Sequence, residues 1–241
     1  MKESPAEFLN GRRFTVLFSG GRDSLAALLW VLDNVKHEKW NVLYVEVTGN
    51  THPLCNEYVH EVCEELGVGY KLIHARREDL DFFEALKRWG IPVIGKYRWC
   101  LHQFKIRCMR GRSHPTQVTG VKRSDSPRRR SVGPVAVAGL SGYVTVNPLY
   151  DWEGRDVLNY IKRHDVPINP CYEIYGHSGN CMICPYFSKK EIYRTLQDPE
   201  WRARIVGALK AVRAERSEWM RRVRDKWLWM ASQLPLTGAL R

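Results

Sequence analysis

The stretch Phe14-Thr-Val-Leu-Phe-Ser-Gly-Gly-Arg-Asp-Ser-Leu-Ala-Ala-Leu-Leu-Trp30 decides the fold of this chain. Residues 14–18 are mostly β-branched or aromatic, a composition typical of a buried strand. Residues 23–32 place apolar side chains at helical spacing, which predicts a helix. A strand that passes through a short turn into a helix is the repeating unit of parallel α/β sheets.

The turn between this strand and this helix has the composition of an anion-binding loop. Gly20 and Gly21 allow positive φ and a close approach of the backbone to a ligand. Asp23 or Ser24 is expected to cap the helix, whose first N–H groups would face an anion. The turn therefore predicts a cradle for a pyrophosphate-like group.

Ser19-Gly-Gly-Arg-Asp-Ser24 resembles the PP-loop of the ATP pyrophosphatases, a group that includes PAPS reductases and tRNA-thiolating enzymes. The resemblance implies an adenine nucleotide alpha hydrolase-like α/β fold, a bound adenine nucleotide, and Mg²⁺ when that nucleotide is ATP. Arg22 stands where the family usually has Lys and keeps the positive charge. The residues implied to hold the phosphates are Ser19, Gly20, Gly21, Arg22, Asp23 and Ser24. Of these, Arg22 and Asp23 are implied to be catalytic.

Two further segments resemble parts of the same family. Thr48-Gly-Asn-Thr-His-Pro53 resembles the segment beside the adenosine, which implies that Thr48 and Gly49 contact the nucleotide. Gly120-Val-Lys-Arg-Ser-Asp-Ser-Pro-Arg-Arg-Arg130 resembles the anion-binding loop of the family. The contacts implied for this loop are Arg123, which is also implied to be catalytic, Ser126 and Arg129.

The rest of the chain predicts alternating strands and helices, and hence a doubly wound parallel sheet that binds its ligand at the carboxyl ends of the strands. Strands are predicted at residues 41–47, 69–74 and 118–121, a hairpin over 132–146, and helices over 54–66, 79–89 and 153–164. A segment from Asn147 to Ile161 also resembles the family, with Asp151 expected to cap its helix. The predicted organisation is a PP-loop domain over 1–165, a cysteine-rich loop over 166–188 and a basic helical appendage over 189–241.

Composition predicts a soluble cytoplasmic protein with an anionic partner. Of the 241 residues 44% are hydrophobic, enough for a full core, and the net charge is +12. No apolar run reaches the length of a membrane span, and the first residues do not resemble a signal peptide. Residues 186–241 contain 13 Lys or Arg against 6 Asp or Glu, with four Trp. This segment predicts either a surface for RNA or DNA, or a solvated helix face whose tryptophans pack on the core.

Cysteine spacing predicts a metal site. Seven cysteines in a chain without an export signal favour metal or redox use over disulfides. Cys181-Met-Ile-Cys184 has the spacing with which two thiolates face one metal, Cys171 lies ten residues upstream, and Cys100 lies 81 residues before Cys181. This pattern resembles the [4Fe–4S] ligands of assimilatory APS reductases, with Trp99-Cys100 where those enzymes have a Cys-Cys pair.

Several arrangements of these cysteines stay open. Cys171 supplies the fourth cluster ligand, or Cys100, Cys181 and Cys184 hold a cluster with one open iron, as in some tRNA-thiolating members of the superfamily. Alternatively the four cysteines bind zinc. Without a metal they are buried thiols, or Cys181 and Cys184 form a redox pair.

The resemblance implies an enzyme, and the sequence favours the ATP-using branch. PAPS and APS reductases end in a Glu-Cys-Gly-Leu-His motif that residues 234–241 do not contain. The expected reaction is adenylation of a substrate by ATP with pyrophosphate release, followed by sulfur transfer from a sulfur donor, with tRNA as an expected acceptor. The alternatives are a divergent PAPS or APS reductase that uses a thiol reductant, and a metal-stapled nucleic-acid-binding module with a degenerate PP-loop. A homodimer is one expected assembly.

Overall fold

In the computed structural model, residues 3–77, 80–92, 98–137, 142–213 and 217–235 are described. The strands are β1 (Phe14–Leu17), β2 (Trp40–Val47), β3 (Tyr70–Ala75), β4 (Thr116–Val118), β5 (Val135–Val137) and β6 (Val144–Val146). The helices are α1 (Pro5–Leu9), α2 (Arg22–Asn34), α3 (Pro53–Glu65), α4 (Phe82–Trp89), α5 (Trp99–Leu101), α6 (Arg107–Met109), α7 (Gly154–Arg163), α8 (Cys171–Tyr175), α9 (Lys189–Gln197), α10 (Pro199–Lys210) and α11 (Glu218–Ser232). A π-helical turn, His102–Ile106, joins α5 to α6.

The six strands form one sheet in the order β3-β2-β1-β4-β6-β5. β1 pairs in parallel with β2 and with β4, and β4 pairs in parallel with β6. β5 and β6 pair antiparallel, as predicted for the hairpin. The predicted α/β fold, with a parallel-dominated sheet and flanking helices, is thereby confirmed.

The chain divides into two compact units, each built from three separate stretches. The first unit comprises residues 1–45, 55–73 and 109–170, and the second comprises residues 46–54, 74–108 and 171–241. In the part of the chain that is described, no helix is long and apolar enough to cross a membrane.

The core of the first unit surrounds β1 and α2. Phe14 and Val16 of β1 are fully buried, as expected for a central strand covered on both faces. Leu25, Leu28 and Leu29 of α2 lie in the same apolar cluster and form the buried stripe that the helical spacing predicts.

The core of the second unit contains several aromatic rings that pack on one another. Phe82 of α4 packs on Trp99 with ring centroids 5.1 Å apart, and Phe83 packs on Trp201 of α10 at 6.4 Å. Trp201 and Trp227 are buried, as in the interpretation that the tryptophans pack inside, whereas Trp229 of α11 is 62% exposed.

Several predicted boundaries differ from the structure. β4 covers Thr116–Val118 instead of 118–121, and α8 lies within the stretch predicted as loop, directly after Pro170, a residue suited to a helix start. The expectation that Asp151 caps α7 is wrong, because the helix begins at Gly154 with Glu153 as its N-cap. Residue 79 of the predicted helix 79–89 and residues 138–141 of the predicted hairpin lie outside the described residues.

Candidate functional site

Ser24 holds the turn that follows β1. Its hydroxyl donates a 2.8 Å hydrogen bond to the Gly21 carbonyl and accepts one of 3.1 Å from the Ser19 N–H. The expectation that Asp23 or Ser24 caps α2 is wrong: Gly21 is the N-cap and no side chain caps the helix, because the Ser24 hydroxyl is used within the turn. A helix start without a side-chain cap suits an anion.

Gly20 is required by the shape of this turn. Its φ is +70°, and an added Cβ would lie 2.8 Å from Cys55 Sγ and 3.2 Å from Val59 Cγ2. A larger residue would therefore be strained by its backbone and would also collide with α3.

Lys122 is the buried cation of this site. Its side chain is 5% exposed, and its Nζ lies 2.6 Å from Asp23 Oδ2 and 2.9 Å from Asp125 Oδ1. Burial acts to raise the pKa of Asp125, but hydrogen bonds and positive charge from Lys122, helped by Arg129, outweigh it and hold the pKa below its usual value. Sequence reasoning missed Lys122, although its place two residues after Gly120, in the loop resembling the family's anion-binding segment, could have indicated it.

Gly120 allows the segment that follows β4 and contains Lys122, called the Lys122 segment below, to lie against the PP-loop. A Cβ at residue 120 would lie 2.4 Å from the main-chain oxygen of Asp23, closer than any side chain tolerates. The segment that follows β4 therefore lies directly against the first turn of α2, within the first unit.

The other predicted anion contacts of this loop have partners of their own. Arg123 is 57% exposed, and its guanidinium lies 3.1 Å from Asp151 Oδ1. Arg129 is paired with Asp125, and the Ser126 carbonyl accepts a 2.9 Å hydrogen bond from the Arg129 N–H. Arg123 also lines a cavity of about 540 Å³ together with Ser124, Arg130, Tyr150 and Glu153. Its catalytic role stays a prediction.

Thr48 and Gly49 belong to the second unit. The Thr48 hydroxyl donates a 3.1 Å hydrogen bond to Glu46 Oε2. Gly49 has a φ of +89°, and its Cβ position lies 3.0 Å from Asp81 Oδ2, so the close approach of that carboxylate favours glycine. Their predicted contacts with a nucleotide stay predictions.

Cys100, Cys181 and Cys184 lie close enough for the charge of one thiol to affect another. Burial, with the nearby Cys181 as a second cause, raises the pKa of Cys184 to about 12. Burial and Cys181 also raise the pKa of Cys100, against the opposing charges of Arg98 and Lys105. All four predicted metal-binding cysteines lie in the second unit, and three of them, Cys100, Cys181 and Cys184, are near one another.

Two cations accompany these thiols. Lys105, on the π-helical turn, donates a 3.0 Å hydrogen bond from Nζ to Asn180 Oδ1, directly before Cys181. The guanidinium of Arg98 lies 5.0 Å from the ring centroid of Tyr186. Both positive charges act to lower the pKa of the Cys100 thiol, and they would offset the negative charge of a metal–thiolate group.

Cys171 lies on α8 and is buried against the loop that carries Cys181 and Cys184. A Cβ added at Gly179 would lie 2.7 Å from the Cys171 Sγ. The charge of the Cys171 thiol is one of the smaller effects that raise the pKa of Tyr175. Among the residues with assigned positions, which include all seven cysteines, no three His, Cys, Asp or Glu side chains converge to hold a single metal ion.

The sequence of this chain is similar to those of several known proteins. Residues 13–187 match the phosphoadenosine phosphosulfate reductase domain family. The uncharacterized protein MJ0973 of Methanocaldococcus jannaschii is 25% identical over 218 residues, which cover 88% of this chain and 50% of that protein. An adenosine 5'-phosphosulfate reductase of Salinibacter ruber is 34% identical over 67 residues, 28% of this chain and 27% of the reductase. This chain therefore spans half or less of the length of these two relatives.

A solved structure of phosphoadenylyl-sulfate (PAPS) reductase from Candida auris, in complex with phosphate, superposes with a TM-score of 0.49 at 18% identity. The superposition covers 70% of this chain and 84% of that chain. The family match runs from the residue before β1, through the PP-loop and the Lys122 segment, to three residues beyond Cys184. With most of its length covered by that match, this chain belongs to the phosphoadenosine phosphosulfate reductase domain family.

Proposed function

We propose that this protein binds ATP at the turn after β1 and transfers the adenylyl group to an oxygen of its acceptor. Pyrophosphate leaves in that step, and a sulfur donor then displaces AMP from the activated carbon. Two features of the chain carry the proposal. One is a PP-loop that lies beside Lys122 and has no side-chain cap, and the other is a group of three neighbouring, partly buried thiols.

The residues of the first unit suit the adenylylation step. Main-chain N–H groups of the PP-loop would bind the phosphates that leave, and Arg22 and Lys122 would stabilise the charge that develops on them. Asp23 is 45% exposed and offers carboxylate oxygens of the kind that Mg²⁺ prefers. The protein would act mainly by positioning ATP and by electrostatic stabilisation.

Cys100, Cys181 and Cys184 would hold a [4Fe–4S] cluster. Each cysteine of such a cluster binds a different iron through its thiolate, so these three cysteines would hold three of the four irons. Burial raises the pKa of Cys100 and of Cys184, and both thiols would release protons when iron binds. With three protein ligands, such a cluster supplies one open iron for the sulfur that is to be transferred.

The acceptor class that we propose is tRNA. Lys189 and Lys190 at the start of α9 are exposed, and Tyr186 and Tyr193 nearby are 51% and 45% exposed. Exposed cations interleaved with aromatic rings suit phosphates and unpaired bases. Arg204, in contrast, donates a hydrogen bond to the Gly49 carbonyl and lies over the Trp201 ring, so its contacts are structural.

The test is an anaerobic preparation supplied with iron and sulfide, then with ATP, Mg²⁺ and unmodified tRNA. We expect release of pyrophosphate and AMP that depends on tRNA, is lost in Asp23→Asn, and persists in Glu57→Gln, a change of an exposed carboxylate. Sulfite release from PAPS or APS with a thiol reductant, without use of ATP, would instead establish a reductase. Salt-sensitive RNA binding without nucleotide turnover would establish a binding module.

A further inference from the structure

Asn50 accepts hydrogen bonds from both inner main-chain N–H groups of the Cys181–Cys184 turn. Its side chain is fully buried, and its Oδ1 accepts hydrogen bonds from the N–H groups of Met182 (3.1 Å) and Ile183 (2.9 Å). Its Nδ2 donates to the Ile183 carbonyl at 3.2 Å, and its main-chain oxygen accepts from the Met182 N–H at 2.7 Å. One residue, 133 positions earlier in the chain, thus fixes the middle of the turn.

The residues after Asn50 hold the start of the same loop. Thr51 Oγ1 donates a 2.9 Å hydrogen bond to the Asn180 carbonyl, and the His52 N–H donates one of 2.8 Å to the Gly179 carbonyl. The segment from Asn50 to His52 therefore runs along residues 179–183, all within the second unit. Because these bonds are buried, solvent does not readily replace them.

Each cysteine of the turn is followed, two residues later, by a main-chain N–H that is positioned differently. The N–H of Tyr186 acts to lower the pKa of the Cys184 thiol, against the larger effects of burial and of Cys181. The corresponding N–H for Cys181 belongs to Ile183, and Asn50 Oδ1 accepts it instead. Hydrogen bonds to the sulfurs help set the reduction potential of an iron–sulfur cluster, and removing them leaves the sulfur more electron-rich.

We propose that Asn50 is a positioning residue that fixes the cysteine turn and withholds the Ile183 N–H from the sulfur of Cys181. Without that hydrogen bond, the Cys181 sulfur would donate more electron density to a bound cluster than it would with the bond, which would keep the reduction potential of the cluster low. The effect on a cluster rests on the proposed function, whereas the hold on the turn is a property of the metal-free protein.

The first measurement is amide hydrogen exchange by NMR on the metal-free protein. In Asn50→Ala we expect the Ile183 N–H to exchange about tenfold faster, the effect of losing one hydrogen bond of ordinary strength. The Met182 N–H keeps its bond to the main-chain oxygen of residue 50 and should change much less. Asn50→Asp retains an acceptor and should restore the protection of Ile183.

The matched control is Asn147→Ala. Asn147 is equally buried and also donates to a main-chain carbonyl, that of Gly133 at 2.9 Å, but it lies in the first unit. Its replacement should leave exchange at Ile183 unchanged. If Asn50→Ala does not fold, Asn50→Ser, whose shorter side chain does not reach Ile183, takes its place.

The second measurement is the reduction potential after reconstitution with iron and sulfide. Asn50→Ala should shift the midpoint to a more positive value, because the released N–H can then donate to Cys181, while Asn147→Ala should not shift it. A purely structural role would lower the amount of cluster without moving its potential.

Wild-type exchange at Ile183 in a folded Asn50→Ala, or an unchanged potential, would overturn the proposal. If the wild type takes up no iron, the cluster of the proposed function fails, and exchange at Ile183 still decides the role of Asn50.

Discussion

Lys122 Nζ lies 2.6 Å from Asp23 Oδ2, so the PP-loop has its counter-ion within the fold before a ligand binds. The ammonium group also reaches Asp125 Oδ1 at 2.9 Å. A lysine shared by two carboxylates neutralises charge that would otherwise oppose an incoming polyphosphate. The arrangement makes Lys122 a structural and an electrostatic part of the site at once.

Replacing Lys122 with Met should therefore lower both stability and nucleotide affinity. The change leaves two carboxylates without their shared cation, and we expect a loss of about 2 kcal/mol in the free energy of unfolding, below the usual cost for a fully buried pair because Asp23 is half exposed. Urea denaturation and calorimetric titration with ATP measure the two effects. Lys36→Met, at an exposed site, should change stability by less than about 0.5 kcal/mol. Equal effects of the two substitutions would contradict this role.

Gly120→Ala should disrupt the contact between the Lys122 segment and the PP-loop. The new methyl group would meet a main-chain oxygen at 2.4 Å, so the loop must move, and we expect a loss of about 2 kcal/mol together with weaker ATP binding. Gly207→Ala is the matched control, since α10 has open space there, and it should stabilise the protein by about 1 kcal/mol. A Gly120→Ala protein with unchanged stability would show that the close approach is not required.

His177 should make the protein less stable in mild acid. Burial lowers its pKa to about 4 from 6.5, and its ring accepts from the Gly179 N–H and pairs with Thr195 Oγ1 at 3.0 Å. The unfolded chain gains a proton below about pH 6.5 that the folded chain gains only near pH 4. Stability should thus fall over that interval by up to about 3 kcal/mol and then level off. Urea midpoints at pH 7.5, 5.5 and 4 measure it, and His177→Gln should remove most of the slope while His60→Gln should not.

Cysteine variants should distinguish the metal-binding role of Cys100, Cys181 and Cys184 from the structural role of Cys171. After anaerobic reconstitution we expect Cys100→Ser and Cys181→Ser to lose most of the iron and the absorbance near 400 nm. Cys171→Ser should retain them, because that sulfur packs beneath Gly179. Cys63→Ser, a change at a buried thiol of the first unit, serves as the control. Loss of iron in Cys171→Ser alone would instead make Cys171 a ligand.

The strand–turn–helix of the PP-loop could be predicted from sequence because its pattern is local. Apolar runs, two glycines and helical spacing lie within seventeen consecutive residues, and β1 and α2 appear within two residues of the expected bounds. The start of α10 has a similarly local signal, since the N-cap Asp198 directly precedes Pro199.

The identity of the buried cation could not be read from the sequence with the same ease. Lys122 and Arg123 are adjacent and both basic, and nothing local in the sequence distinguishes them. In the structure Lys122 turns inward, next to the close contact of Gly120 with Asp23. The capping expectation failed for a related reason. A serine in the first turn of a helix is a good cap, but here the turn before it needed the same hydroxyl.

The hydrogen bonds of Asn50 to the cysteine turn also have a consequence for biosynthesis. Their partners are separated by 132 and 133 residues, so a chain emerging from a ribosome exposes Asn50 long before Met182 and Ile183 exist. The cysteine turn can take its final shape only after residue 183 has been made. Under the proposed function, iron and sulfide would therefore reach the turn only after residues 1–183 have been synthesised.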